Sequence, residues 1–145
     1  MSDKPPNRNI FVLLQEFFPA LFLAATIAYC IFIFSLSSIS SFPVSSPFPD
    51  FDKLAHFCLY GGLAGLMALG LQRARHRYSR KVLFIVPIGF SVLYGLSDEV
   101  HQLFVESRSF EVWDIAADAV GAACAILLVL FIYKRKTLRK KAGEG

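Results

Sequence analysis

The chain has 145 residues, of which 55% are hydrophobic, 14% aromatic and only 18% charged; its mean hydropathy is +0.53. A soluble domain carries roughly 25% charged residues and a disordered segment is poor in apolar ones, so both classes are excluded. The formal charge of +4 could suit nucleic acid, but the Lys and Arg residues flank apolar blocks instead of interleaving with aromatics on a polar domain. That pattern belongs to a membrane protein.

A helix needs about 20 apolar residues to cross a hydrocarbon core roughly 30 Å thick. Residues 17–36 form a first run with no charge, and it reads as a retained helix because its apolar region is too long for a signal peptide. Residues 54–71 form a second, interrupted only by His56; 82–104 a third, uncharged until Asp98 and Glu99; 115–133 a fourth, carrying only Asp118. With their flanks these predict helices over about 14–37, 52–72, 81–104 and 113–134. The expectation is an all-α, single-domain bundle of four transmembrane helices. Cys30, Cys58 and Cys124 lie within apolar blocks without metal-type or disulfide-type spacing, and read as small buried side chains.

Thirteen of the fifteen Lys and Arg residues precede the first span, fill the link between spans two and three, or follow span four; only Lys53 and Arg108 fall on the other side. The positive-inside rule then puts both termini in the cytoplasm of a multi-pass cell-membrane protein. The six Lys and Arg residues after Tyr133 suit anionic lipid. The first outer link, 37–51, holds six serines and three prolines and reads as irregular, with Phe42, Phe48 and Phe51 at the headgroup level.

Polar residues enter the outer ends of spans two, three and four. Asp52, His56 and Tyr60 recur every four residues and share a helical face, as do Tyr94, Asp98 and Gln102, with His101 a turn from Asp98 and Glu99 about 100° away. Asp114 and Asp118 share a face with Gly121. Gly61, Ala64, Gly65 and Ala68 read as a small-residue packing stripe on the face opposite His56. All the ionisable groups fall within roughly 10 Å of the outer interface at 1.5 Å of rise per residue. Such groups are costly against lipid, so they are expected to meet in one outward-opening pocket. Five carboxylates (Asp52, Asp98, Glu99, Asp114, Asp118) face two fixed cations, Lys53 and Arg108. The surplus calls for protons, for a charge on His56 or His101, or for a bound cation. Taken singly, Asp52 and Asp114 also fit helix N-caps, Tyr60 and Trp113 interfacial aromatics, and Lys53 a snorkelling side chain. The plain alternative for the whole layer is a hydrogen-bond network that only holds the bundle together.

In order, Ser37-Ser38, Asp52-Lys53 with His56 and Tyr60, Asp98-Glu99 with His101-Gln102, Arg108, and Asp114 with Asp118 and Gly121 resemble the VanZ-like family of small bacterial membrane proteins. The resemblance covers about 85 residues, and one departure is Asp118, where Asn is commoner in the family. It implies a cell-envelope role, since the name-giving member is associated with low-level resistance to the glycopeptide teicoplanin.

Three functions compete. The first is a non-enzymatic envelope protein whose pocket takes a lipid headgroup, a lipid-linked cell-wall precursor or a partner helix, with Asp52, His56, Asp98, Glu99, Gln102, Arg108, Asp114 and Asp118 as its set and Lys53, Tyr60 and His101 secondary. No cofactor is required, although a divalent cation would suit the donors; an oligomer stays open. The second is an intramembrane enzyme on a lipid-linked substrate, with His56 or Glu99 as base or a metal on Asp52, His56, Asp98 and Asp114. The third is cation or proton transport, which the apolar inner halves of the spans disfavour.

Overall fold

Backbone polar groups immersed in hydrocarbon must be satisfied within their own segment, which leaves the helix as the local solution for an apolar run. The computed structural model, which describes residues 10–40, 49–73 and 78–143, follows this rule. It contains α1 (Ile10–Ser37), α2 (Phe51–Arg73), α3 (Arg80–Gln102) and α4 (Val112–Ala142) and, among the described residues, no strand. Each holds a stretch apolar enough to span a membrane: Phe17–Ser37, Phe51–Arg73, Arg80–Gln102 and Val112–Lys136.

Three helix ends differ from the sequence expectation by two residues or more, and the first is α1, which begins at Ile10 rather than 14. α3 stops at Gln102 rather than 104. Beyond it the amides of Phe104 and Val105 bond three residues back, to His101 and Gln102, and Ser107 adopts a left-handed φ of 66°, so the chain turns before a further helical turn can form. α4 continues to Ala142 rather than 134, because its Lys- and Arg-rich continuation is made largely of good helix formers. It ends at Gly143, whose amide caps Arg139 O at 3.1 Å.

α2 and α4 form the most extensive pair, α3 packs on both, and α1 lies on α2 with only light contact to α3. The α2–α4 crossing is built from small residues. A Cβ on Gly121 would overlap the Phe57 carbonyl, and one on Gly61 would come within 2.9 Å of Gly121 O, so the two backbones pass at glycine distance. Below that crossing Ala64, Ala68, Ala122 and Ile126 are fully buried. Ala64 and Ala68 therefore continue the buried line of His56 and Tyr60 instead of opposing it. A four-residue step advances 400°, a drift of only 40° from the same face.

The interior is as rich in polar as in apolar side chains, while Ile31, Leu93, Val112 and Leu127 are among the large apolar residues left exposed. That inversion of the soluble pattern follows when the surrounding medium is itself apolar. Cys30 is half-buried, but Cys58 and Cys124 face outward rather than into the core; a small apolar thiol incurs little penalty against lipid.

Among the described residues, Arg73, Arg80, Lys81, Lys134, Arg135 and Lys136 gather at one end of the bundle, where Arg73 lies over the rings of Phe18 and Phe22 at 5.5 and 5.3 Å. Asp50, Asp52, Asp98, Glu99, Glu106, Glu111, Asp114 and Asp118 gather at the other. Lys4, Arg8, Arg75 and Arg77 of the orientation count, and Phe42, Phe48, three of the six serines and two of the three prolines of the first link, lie outside the described residues.

Candidate functional site

The acidic end is assembled from the start of α2, the end of α3, the start of α4 and the end of α1. Its centre is His56 of α2. The His56 Nδ1 and Asp118 Oδ1 of α4 are 3.0 Å apart, and the imidazole stacks on Tyr60 at 5.5 Å with an interplanar angle of 17°. These contacts turn Nε2 toward Glu99 Oε1 of α3 and Asp114 Oδ2 of α4, each at 3.8 Å. Glu99 and Asp118 have no solvent exposure, and Asp98, Gln102, Asp114 and His56 are also buried.

Asp98 accepts a hydrogen bond from Gln102 Nε2 at 3.2 Å, one helical turn along α3. Glu99 Oε2 accepts from the Glu111 backbone amide at 2.7 Å, which pins the α3–α4 loop onto α3. Asp118 fits where it does because α3 has glycine opposite: a Cβ on Gly95 would overlap Asp118 Oδ2. Glu99 Oε1, Asp114 Oδ1 and Asp118 Oδ2 are buried without a hydrogen-bond partner. Carboxylate oxygens buried without a hydrogen bond are expensive, so this arrangement calls for a proton on a carboxyl, a charge on His56 or a cation.

Lys53 lies at the mouth. Its Nζ is 2.9 Å from Glu111 Oε2, 3.1 Å from Asp52 Oδ2, and 3.6 Å from both Asp50 Oδ1 and Asp114 Oδ1. Lys53 is thus a hub joining α2 to α4 rather than only the neutraliser of Asp52 or a snorkelling side chain. Tyr60 is fully buried, which replaces its reading as an interfacial aromatic, whereas Trp113 is largely exposed. Neither Asp52 nor Asp114 is a cap; both lie in the first turn of their helices, and Glu111 occupies the N-cap of α4.

Arg108 is half-buried in the α3–α4 loop, its Nε and Nη2 both 3.4 Å from Ile39 O beyond the end of α1. His101 meets α1 as well: its Nε2 is 3.0 Å from Ser38 Oγ, and its ring lies 4.5 Å from that of Phe34. The structure therefore brings Asp52, His56, Asp98, Glu99, Gln102, Asp114 and Asp118 into one contiguous polar body, with His101 and Arg108 where it meets α1. Glu111 joins it too, although sequence reasoning passed it over; its signal was an acid at the start of span four, three residues before Asp114.

An apolar groove of about 690 Å³ runs along the bundle between α1, α2 and α3, lined by Phe22, Thr26, Ile27, Phe34, Met67 and Tyr94 among others. One of its walls is Tyr94, whose hydroxyl donates to Cys30 O at 2.7 Å and whose ring is 6.3 Å from that of Tyr60.

Residues 10–133 match the VanZ/LLP1 family, a stretch that contains three of the spans, the fourth up to Tyr133, and every residue of the polar body. The chain is also similar to the uncharacterized protein C11E3.10 of Schizosaccharomyces pombe (strain 972 / ATCC 24843), at 27% identity over 110 residues. The similarity covers 76% of this chain and 65% of that relative, somewhat less than two thirds of its length. This relative is eukaryotic, so the likeness is not confined to bacteria. No solved structure matches the chain. With three of its spans, most of the fourth and its buried acid–histidine layer within one continuous family match, the chain belongs to the VanZ/LLP1 family.

Proposed function

We propose that this integral membrane protein holds a bilayer lipid, with an acyl chain in the α1–α3 groove and the headgroup at the acidic end. The observation that carries the reading is an apolar groove whose walls at Phe34 and Tyr94 pack against His101 and Tyr60 of the acidic end. Phe34 and Tyr94 line the groove, and their rings lead to His101 and to Tyr60 beneath His56. In a bilayer an apolar recess takes hydrocarbon, because an empty one forfeits its dispersion contacts, and about 690 Å³ lies in the ~300–1,000 Å³ range of ligand sites.

The mouth favours an amine-bearing headgroup: Asp50, Asp52, Glu111 and Asp114 surround the single ammonium of Lys53, which disfavours a lipid-linked diphosphate. By the distribution of Lys and Arg, this end faces outward from the cell membrane and both termini are cytoplasmic. The role is then in the cell envelope, and the glycopeptide response implied by the family's name-giving member is the phenotype to assay.

The test is photocrosslinking in liposomes with phosphatidylethanolamine carrying a diazirine in its acyl chain. Crosslinks are expected to concentrate on α1 around Thr26–Phe34 and on α3 near Tyr94, and to fall at least fivefold in the groove-filling variant Ile27→Trp/Ile31→Trp. Labels spread evenly over all four helices, or a stronger yield from a diphosphate-headed lipid, would contradict the reading.

A further inference from the structure

We propose that His56, Asp98 and Glu99 form a binding site for one divalent transition-metal ion. One donor atom from each of these three buried residues lies within 4.8 Å of the other two. Three ligands placed about 2.0–2.2 Å from a common ion are separated from one another by roughly 3.3–3.8 Å, so the three side chains need shifts of about 1 Å to share an ion.

His56 is set up to be a ligand. With its Nδ1 on Asp118 at 3.0 Å, the neutral ring carries its proton there and presents the lone pair of Nε2 to the interior. Carboxylate–histidine pairs fix metal-binding tautomers in this way, which makes Asp118 a positioning residue. The Nε2 atom faces Glu99 Oε1 at 3.8 Å, too long for a hydrogen bond but suited to two ligands of one ion. Glu99 Oε1 supplies the second, independent indication: it belongs to a fully buried side chain and has no hydrogen-bond partner. Glu99 Oε2 is held by the Glu111 amide and one Asp98 oxygen by Gln102, so each carboxylate is braced by one oxygen and can offer the other.

A divalent ion balances the two carboxylates whether or not a lipid is bound. One imidazole nitrogen and two carboxylates suit a borderline ion such as Zn²⁺, or a harder one such as Mn²⁺, over one that needs thiolate. Asp114 Oδ2 is also 3.8 Å from Nε2 and offers a further carboxylate oxygen beside the site.

The experiment uses full-length, tag-free protein carrying His76→Ala and His101→Ala, which leaves His56 as its only imidazole. The protein is stripped with chelator and titrated with Zn²⁺ in detergent micelles. The expected result is one equivalent bound, with affinity at least tenfold lower in Glu99→Gln and 10–100-fold lower in Asp118→Ala. If Glu99→Gln fails to fold, X-ray absorption at the zinc edge of the folded parent decides: one nitrogen shell from imidazole with oxygens near 2.0–2.1 Å and no sulfur supports the site. Substoichiometric zinc on the folded parent, an affinity unchanged by Glu99→Gln, or sulfur in the coordination shell would overturn it.

Discussion

His56 on α2 and Asp118 on α4 meet at 3.0 Å inside the bundle, directly above the crossing where Gly61 and Gly121 let those helices touch. The small residues set how near the helices come, and the polar pair fixes their register. Removing the imidazole would leave Glu99 and Asp118 without a counter-group and Asp114 with only Lys53, 3.6 Å away. His56→Leu is therefore expected to lose about 3–5 kcal/mol, read as a lower midpoint of thermal unfolding in detergent. Asp118→Asn retains an oxygen acceptor and should lose less than about 2 kcal/mol. Equal midpoints for His56→Leu and the parent would contradict the pairing.

Three glycines give a graded test of the packing. Alanine at Gly121 would collide with backbone at Phe57, whereas alanine at Gly95 would collide only with the Asp118 carboxylate, and at Gly89 it meets nothing within 4 Å. Gly121→Ala should cost about 1–3 kcal/mol or more. Gly95→Ala should leave the fold nearer to normal while displacing Asp118 and weakening whatever the polar body binds. Gly89→Ala should be neutral or gain up to about 1 kcal/mol from helix propensity. Midpoints after heating, followed by size exclusion, rank the three; a Gly89→Ala loss as large as that of Gly121→Ala would refute this account of the crossing.

The sequence made the spans and the level of the polar layer legible because both follow from residue type and the helical repeat alone. Asp98 and Gln102, a turn apart, needed no tertiary information. What escaped it depends on tilt and on loop paths. Lys53 looked like the neighbour of one aspartate, and only the docking of α4 gives it Glu111 and Asp114. Glu111 acts through its backbone amide as well as its side chain, and backbone donors carry no residue signature. Burial of Tyr60 comes from α3 and α1 closing over it, with Ser91 Oγ donating to the Tyr60 carbonyl at 2.8 Å. The groove exists because α1 leans on α2 and barely reaches α3, which hydrophobicity cannot encode when every wall is apolar.

Orientation is open to direct labelling. With Cys30, Cys58 and Cys124 replaced by alanine, Glu106→Cys at the acidic end should react with an impermeant maleimide added to intact cells. Arg139→Cys at the basic end should react only after permeabilisation. The reverse pattern would invert the proposed topology and with it the outward placement of the site.

The most direct measurement of the central claim is native mass spectrometry of the protein released from nanodiscs containing phosphatidylethanolamine and phosphatidylglycerol. The account predicts that one phosphatidylethanolamine molecule survives on the parent at collision energies that strip the others. That adduct should be lost in Ile27→Trp/Ile31→Trp and weakened in the double variant Asp52→Asn/Glu111→Gln. Adducts that dissociate as a graded series, identical in all three proteins and indifferent to headgroup, would contradict it.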